Sequence, residues 1–324
     1  MMEFEQVRGN TWVLKSWELI PVYRLDEHQC ILLDTGLARQ REELKTALDT
    51  FQLEPVGIIC SHAHIDHMGN NAFLMETYGT KLAMALGEAG HQFSYLGLNV
   101  ANFVLSPNDV VASPDLNGTP CLADRVILPN EEQITFCGVP FDIIHTPGHT
   151  ADHICVRTPD DVLYLGDAMM TGRTLHHSKF PYAFSMQGYL DSMRKIRTIP
   201  AAKYVVAHYG VYDEVLPLID MEVRFLAERM LDLLDLVDGY TTPKKMASAI
   251  CRAYHIDAKR LQDLAYFEAV SQTYINYLRD LGYLDACMED NQILYRKTQA
   301  AAELVRKKTE SVLPKPGLLS TSVG

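Results

Sequence analysis

Residues 62–67 constrain this chain more than any other feature, because they read His-Ala-His-Ile-Asp-His. The run follows the apolar stretch Val-Gly-Ile-Ile-Cys, a pattern that predicts a buried strand. A loop at a strand end can direct three imidazoles and a carboxylate at one point, whereas one helix face holds only residues three or four apart. Imidazole and carboxylate groups are ligands for Zn²⁺, Mn²⁺ and iron, so the run predicts a metal site.

Three further candidate ligands also follow strand-like segments. His149 comes after a Pro-Gly turn, Asp167 comes after Gly166, and His208 ends the run Lys-Tyr-Val-Val-Ala. Strand ends that repeatedly bear His or Asp indicate that one edge of a sheet gathers these side chains. The predicted metal ligands are therefore His62, His64, Asp66, His67, His149, Asp167 and His208.

The hydrophobic pattern of the first two thirds predicts an α+β fold. Residues 11–34 are typical of an antiparallel meander. Further strands are predicted over 81–85, 125–128, 133–137, 140–145, 153–157, 162–166 and 203–210, and helices over 38–51, 71–78 and 187–198. Two long segments, 86–124 and 171–186, have no clear period and are rich in turn-forming and aromatic residues. We expect them to form a lid or a binding insertion.

The last third has a different pattern. Helices are predicted over 216–236, 243–254, 257–264 and 267–281, followed by a hairpin over 283–286 and 293–296. Helices followed by a hairpin are the order of a winged-helix module. We therefore expect a catalytic domain over 1–213, a small helical, winged-helix-like module over 214–298, and a flexible tail over 299–324.

Composition excludes several classes of protein. With 48% hydrophobic residues, the 324-residue chain can form a core, and no apolar run approaches the ~18 residues of a membrane span. Seven cysteines without a Cys-x-x-Cys pair favour reduced thiols, and we expect no secretory signal and a cytoplasmic location. The net charge is −15 over 1–239 and +3 over 240–324, which argues against non-specific nucleic-acid binding.

The motifs His-x-His-x-Asp-His, Thr-Pro-Gly-His-Thr, Gly-Asp and the late strand-terminal histidine resemble those of the metallo-β-lactamase-fold hydrolase superfamily. The resemblance covers about residues 8–213 and implies an αββα sandwich with two divalent metal ions at one edge. Zinc is the metal we expect first, with iron or manganese as alternatives. The implied allocation is His62, His64 and His149 on one metal, Asp66, His67 and His208 on the other, and Asp167 between them.

The resemblance also implies an activity. A metal-bridging hydroxide would attack a small or medium ester, thioester or lactone, with Asp66 and Asp167 as catalytic residues and Asp66 guiding a proton to the leaving group. The sequence Thr-Pro-Gly-His-Thr-Ala-Asp-His, which includes His153, is similar to a glyoxalase II-like branch with a C-terminal winged-helix-like module. Lactonases of this superfamily place a tyrosine where this chain has Met170.

Three alternatives stay open at this point: a phosphodiesterase or ribonuclease, a mononuclear iron persulfide dioxygenase, and a non-catalytic binding protein. The expected partner is a small-molecule substrate. Nucleic acid is a disfavoured partner, no membrane partner is expected, and self-association is left open. Iron on a single group of ligands would favour the dioxygenase, whereas salt-sensitive RNA binding would favour the ribonuclease.

Several polar residues near the motifs have two interpretations. Asp34, in Leu-Leu-Asp-Thr-Gly, either supports the first histidine cluster or closes a turn at a strand end. The other residues are candidates for supporting, lid or substrate-contacting roles, or else for ordinary structural ones: His145, His153, His176, His177 and Tyr182.

Overall fold

The computed structural model of the protein describes residues 2–101, 106, 108–109 and 118–312. Its described strands form two large sheets and one separate hairpin. The first sheet contains, in spatial and chain order, β1 (Glu3–Arg8), β2 (Thr11–Lys15), β3 (Leu19–Arg24), β4 (Gln29–Leu33), β5 (Glu54–Cys60), β6 (Lys81–Ala85) and β7 (Arg125–Ile127). The antiparallel meander expected over 11–34 is present as β2 to β4.

The second sheet has the spatial order β13-β12-β11-β10-β9-β8. Its strands are β8 (Gln133–Phe136), β9 (Val139–His145), β10 (Ile154–Arg157), β11 (Val162–Tyr164), β12 (Lys203–Val206) and β13 (Gly210–Tyr212). β9 and β11 are both antiparallel to β10, and β11 is parallel to β12. β9, β11 and β12 therefore run in one direction, and their C-terminal ends lie at one edge of the sheet.

Helices cover the outer faces of both sheets. The described helices are α1 (Arg41–Thr50), α2 (Ile65–Met68), α3 (Asn71–Tyr78), α4 (Leu86–Gln92), α5 (Tyr95–Ala101), α6 (Gly172–Ser178), α7 (Met186–Ile196), α8 (Leu216–Leu236), α9 (Pro243–Ala253), α10 (Leu261–Asp280) and α11 (Gln299–Val312). In β4, Ile31 and Leu33 face the core between the sheets, whereas Leu32 faces α1. This alternation has the two-residue period of a strand buried on both faces. The layers are those of the expected αββα sandwich.

The C-terminal third forms the outer layer of the second sheet. Side chains of α8, α10 and α11 share one core with α7 and with the outer face of β10 to β12. The expected hairpin is present as β14 (Leu284–Glu289) and β15 (Gln292–Lys297). We propose that a domain boundary lies near residue 213 and that a winged-helix-like module follows it.

Two expectations for the C-terminal third differ from the structure. The helices predicted over 257–264 and 267–281 are one helix, α10, which begins at Leu261, where the Asp263 carboxylate accepts from the backbone N–H of Arg260 at 3.1 Å. The tail expected to be flexible from 299 forms α11 over its first fourteen residues. Ala301 and Val305, one helical turn apart, are buried in the shared core and explain why this segment is ordered. Residues 313–324 lie outside the described residues.

Part of the segment 86–124, expected to be a lid or insertion, also lies outside the described residues. Its described beginning forms α4 and α5.

None of the described helices combines the length and hydrophobicity needed to cross a bilayer. Three of the seven cysteines, Cys30, Cys60 and Cys155, have buried side chains.

Candidate metal centre

The His-Ala-His-Ile-Asp-His run changes conformation half-way along its length. His62 and His64 follow β5 in an extended loop, and α2 is a single helical turn that contains Asp66 and His67. The backbone N–H of His67 donates to the carbonyl oxygen of His64 at 3.0 Å, which begins the turn. This change directs all four side chains to one side of the strand end.

Two glycines bring the other loops close to this run. A β-carbon at Gly148, beside His149, would lie 2.1 Å from the backbone nitrogen of Tyr189, so the loop between β9 and β10 packs directly on α7. Gly166 has a positive φ of 50°, and a β-carbon there would lie 2.7 Å from His153 Nε2. Only glycine allows both close approaches.

His62, His64 and His149 form a first group, with ligand atoms within 4.8 Å of one another. His149 Nε2 lies 2.9 Å from His64 Nδ1. Burial lowers the pKa of His62 and His149 well below the ordinary value of a histidine. These two imidazoles are therefore neutral near pH 7, with lone pairs available to a cation.

Asp66, His67 and His208 form a second group. Asp66 Oδ2 lies 3.8 Å from His67 Nε2 and 3.5 Å from His208 Nε2. Burial opposes the charged imidazole, but the carboxylates of Asp167 and Asp66 outweigh it, raising the pKa of His67 well above its usual range and that of His208 to about 10. In the metal-free protein these two histidines are protonated.

Asp167 lies between the two groups. Its Oδ2 is 3.3 Å from His149 Nε2, and its Oδ1 is 3.5 Å from His67 Nε2 and 3.4 Å from His208 Nε2. The structure thus brings all seven sequence-predicted ligands into one cluster.

The donor atoms of this cluster fit divalent cations. Among the residues that the structure describes, His62 Nε2, His67 Nε2 and Asp167 Oδ1 are buried and make no hydrogen bond, although Asp167 Oδ1 lies 3.5 Å from His67 Nε2 and 3.4 Å from His208 Nε2 as an ion pair. An unsatisfied buried polar atom costs about 1–3 kcal/mol, so three in one place call for a ligand. Imidazole nitrogens with carboxylate oxygens are the donor set that zinc, iron and manganese accept.

Asp34 supports two ligand histidines through the ring nitrogens that do not face the cluster: His67 directly, and His62 through Ser61. It is fully buried, and its Oδ2 accepts from His67 Nδ1 at 2.7 Å, from Ser61 Oγ at 2.7 Å and from the Tyr164 hydroxyl at 2.6 Å. Ser61 Oγ in turn lies 3.0 Å from His62 Nδ1. This carboxylate fixes the ring of His67 with Nε2 turned to the cluster, so the supporting interpretation of Asp34 agrees with its contacts.

His153 has a similar role for Asp167. Its Nε2 accepts from the backbone N–H of Asp167 at 3.1 Å, and its Nδ1 lies 2.9 Å from Thr146 Oγ1. Burial lowers the pKa of His153 to about 3, which keeps the ring neutral and its Nε2 an acceptor. His145, by contrast, lies on β9 and contacts the carbonyl oxygen of Glu131.

Glu88 is a supporting residue that the sequence did not reveal. It is fully buried, and its Oε2 accepts from the Ala63 N–H at 2.8 Å. Its Oε1 accepts from Thr150 Oγ1 at 2.7 Å and from the Asp152 N–H at 3.1 Å. The carboxylate of Glu88 therefore connects residues 62–67 to the loop that contains His149 through hydrogen bonds. The only available signal was a glutamate three residues after the end of the apolar strand 81–85.

The segment 171–186 contributes one side chain next to the cluster. The ring of Tyr182 is half-buried, with its centroid 6.1 Å from the rings of both His64 and His149. His176 and His177 are exposed on α6, and His176 packs edge-on against Phe225 at 5.9 Å. Neither of these histidines belongs to the metal-ligand groups.

A family model described as the metallo-β-lactamase superfamily matches residues 16–208, a range that includes all seven candidate ligands. The chain belongs to the metallo-β-lactamase superfamily. Members of this superfamily bind divalent metals, typically zinc, which agrees with the donor set of the cluster.

Two curated proteins illustrate the range of relatives within this superfamily. The chain is 25% identical over 210 residues to the β-lactamase-like protein 2 homolog of Drosophila melanogaster, covering 63% of each chain. It is 26% identical over 134 residues to a hydroxyacylglutathione hydrolase of Rhizobium meliloti (strain 1021), covering 41% of each. The matched region thus spans less than two thirds of either relative.

The fold is similar to that of solved superfamily members. A metallo-β-lactamase family protein from Thermus thermophilus has a TM-score of 0.65 at 18% identity, covering 92% of this chain and 98% of that one. A β-lactamase domain protein from Burkholderia ambifaria has a TM-score of 0.63 at 17% identity, covering 91% and 94%. With such coverage, the similarity of fold extends beyond residue 208 into the C-terminal helices.

Proposed function

We propose that the chain is a binuclear metal-dependent hydrolase that acts on a small or medium ester, thioester or lactone. The observation that supports this most is the cluster of seven ligands, in which several buried imidazole and carboxylate atoms make no hydrogen bond with the part of the chain that the structure describes. Two groups of ligands share one carboxylate between them, which is the arrangement that a pair of metal ions needs.

The proposed allocation follows the two groups. His62, His64 and His149 would hold one cation, Asp66, His67 and His208 a second, and Asp167 would contact both. When bound, such cations lower the pKa of water and polarise a substrate oxygen. Asp34, His153 and Glu88 orient the ligands, so little reorganisation is needed during the reaction.

Asp66 differs from Asp167 in its access to solvent. The side chain of Asp66 is 27% exposed, whereas that of Asp167 is 7% exposed. Burial would raise the pKa of Asp66, but the charges of His67 and His208 lower it. The lowered pKa keeps Asp66 ionised in the metal-free protein, and its greater exposure is the reason why we assign to it, rather than to Asp167, the transfer of a proton to a departing group.

Three observations favour an acyl substrate over RNA. Relatives are named hydroxyacylglutathione hydrolases, a name that specifies an acyl compound. The charge of −15 over residues 1–239 repels a polyanion. Tyr182 places an aromatic ring beside His64 and His149, where it can pack against an apolar acyl group.

The proposal is tested by counting metals in the purified protein and assaying five substrates: a thioester, a lactone, a carboxylic ester, a phosphodiester and a single-stranded RNA. His62→Ala and Asp167→Ala should abolish turnover. His28→Ala is the matched control, because the side chain of His28 is exposed and belongs to none of the ligand groups found among the described residues.

Turnover confined to the acyl substrates, with about two metals per chain, would support the proposal. Turnover of the phosphodiester or the RNA would replace it with the phosphodiesterase or ribonuclease alternative. One iron per chain without hydrolysis of any substrate would favour the dioxygenase alternative instead.

A further inference from the structure

Glu222 is a buried carboxylate in a position where an apolar residue is expected. It lies on the buried face of α8, between Ile219 and Leu226, and its side chain has no exposed surface. A polar group at such a position is costly unless all its hydrogen bonds are made. Its contacts therefore indicate why this residue is a glutamate.

Both carboxylate oxygens of Glu222 have a partner, and both partners are neutral. Oε2 accepts from the backbone N–H of Met170 at 2.8 Å, and Oε1 accepts from the hydroxyl of Tyr189 at 2.7 Å. Met170 and Tyr189 belong to different segments, one after β11 and the other in α7. Glu222 thus joins two segments that are otherwise separate in sequence.

The Met170 contact leads to Asp167. Met170 lies three residues after this ligand, in a segment that is buried throughout. The next residue, Thr171, donates from Oγ1 to the carbonyl oxygen of His208 at 3.1 Å. The hydrogen bond from the Met170 N–H to Glu222 therefore fixes the segment 167–171, which contains the ligand Asp167 and contacts the ligand His208.

The Tyr189 contact leads to His149. The backbone of Tyr189 packs on Gly148 so closely that a β-carbon there would lie 2.1 Å from its nitrogen. Just before α7, the Ser185 N–H donates to the carbonyl oxygen of Gly148 at 3.0 Å, and the Phe184 N–H donates to that of His149 at 3.1 Å. The position of α7 therefore determines the position of the His149 loop.

We propose that Glu222 is a positioning residue that fixes the separation of His149 and Asp167, the two ligands whose Nε2 and Oδ2 atoms lie 3.3 Å apart. This inference rests on the proposed metal centre and extends it, because it makes α8 of the C-terminal third part of the apparatus that binds metal. Residues after 213 would then do more than cover the second sheet.

The test compares the zinc affinity of three variants with that of the wild-type protein, by competition with a chromophoric chelator. Glu222→Leu removes both hydrogen bonds at similar volume. Glu222→Gln can keep both, because its oxygen accepts from Met170 while its amide donates to the Tyr189 hydroxyl. Leu226→Ala is the matched control, since Leu226 is buried in the same core on the same helix but makes neither of the two hydrogen bonds of Glu222, so it separates a loss of packing from a loss of these bonds.

We expect Glu222→Leu to weaken zinc binding about 10-fold, the low end of the range for residues that contact a metal ligand directly, because Glu222 acts on the ligands through Met170 and Tyr189. Glu222→Gln and Leu226→Ala should stay within about twofold of the wild type, once the folded fraction is measured by urea unfolding. The visible absorption of the Co²⁺-loaded protein should change only in Glu222→Leu, because it reports ligand geometry.

An unchanged affinity in folded Glu222→Leu, or an equal loss in Leu226→Ala or in Glu222→Gln, would overturn the proposal. If Glu222→Leu does not fold, Tyr189→Phe replaces it, because it removes only the contact that leads to His149. A loss of about 3- to 10-fold is then expected, and no loss would overturn the proposal. Absence of zinc binding in the wild type would overturn the metal centre itself, which separates the two failures.

Discussion

Each ligand of the centre depends on a neighbour that fixes its orientation, and Asp34 is the neighbour with the most contacts. It accepts four hydrogen bonds, two of them from Ser61 and one each from His67 and Tyr164. A buried carboxylate is well suited to this position because it offers acceptors only. Asp34 also has a positive φ of 66°, a conformation that aspartate tolerates better than most residues.

Replacing Asp34 by asparagine should therefore weaken metal binding. In Asp34→Asn the NH2 group must face either the Ser61 N–H or the donors that converge on Oδ2, which include His67 Nδ1, so in both orientations a donor meets a donor and the support of the His67 ring is disturbed. We expect zinc affinity to fall about 10- to 100-fold in chelator competition. Asp160→Asn is the control, because Asp160 accepts from Asn10 and Thr11 at a site remote from the cluster. Equal affinities in the two variants would contradict the prediction.

His153 makes a prediction about pH, because its pKa in the folded protein is about 3 and that of an unfolded histidine is about 6.5. Between these values the unfolded chain binds a proton that the folded protein does not, so His153 lowers stability as pH falls through 6.5. His153→Gln keeps an acceptor for the Asp167 N–H without this proton.

Urea unfolding of the metal-free proteins at pH 7 and pH 5 measures this contribution. Between pH 7 and pH 5, the free energy of unfolding of the wild type should fall by about 2 kcal/mol more than that of His153→Gln. The reason is that pH 5 lies about 1.5 units below the pKa of an unfolded histidine, and this interval corresponds to about 2 kcal/mol for one proton. Parallel losses in the two proteins would show that His153 accepts a proton in the folded state.

Among the elements, those bounded by clear local signals were predictable from the sequence and those decided by tertiary contacts were not. The helix 71–78 and the strand 81–85 have the predicted bounds, because neither contains glycine or proline and Gly79, with a positive φ of 68°, ends the helix between them. The continuous helix α10 depends on a cap between Arg260 and Asp263, and α11 depends on a core that the sequence did not reveal.

The same distinction applies to the site. The ligands could be predicted because each follows an apolar strand, and strand direction brings such ends to one edge. Among the supporting carboxylates, Asp34 was a candidate because of its strand-end motif, but Glu88 and Glu222 were not, because they lie on helices far along the chain from the residues they contact. The spacing of Ile219, Glu222 and Leu226 places Glu222 on an apolar helix face, but it does not show which groups this glutamate contacts.

The packing of α11 gives a prediction about a whole element. Ala301 is fully buried in the shared core, and its neighbour Ala302 is exposed. Ala301→Asp should lower the free energy of unfolding by about 3 kcal/mol, because it buries an unpaired charge, whereas Ala302→Asp should change it by less than about 0.5 kcal/mol. Equal urea midpoints for the two variants would mean that α11 does not pack on α8.

At the scale of the whole molecule, the cluster joins the two sheets. His62, His64, Asp66 and His67 follow a strand of the first sheet, and the remaining ligands follow strands of the second. Contacts of α8 add the C-terminal third to the same unit. A cation held by ligands from both sheets binds the folded protein and not the unfolded chain, so metal binding and global stability are linked.

The free energy of unfolding should therefore rise with free zinc, by about 1.4 kcal/mol per tenfold increase for each site filled. The effect should weaken from pH 8 to pH 6, because zinc must displace the protons that the raised pKa values of His67 and His208 hold in the metal-free protein. Urea unfolding in zinc buffers at the two pH values measures how the free energy of unfolding depends on free zinc at each pH.

Asp167→Asn should reduce the rise in the free energy of unfolding with free zinc, because it removes the carboxylate that contacts both groups of ligands. The Asp160→Asn control should not reduce it. A stability that does not depend on free zinc would mean that the cluster binds no metal in the folded protein, whatever its similarity to the superfamily.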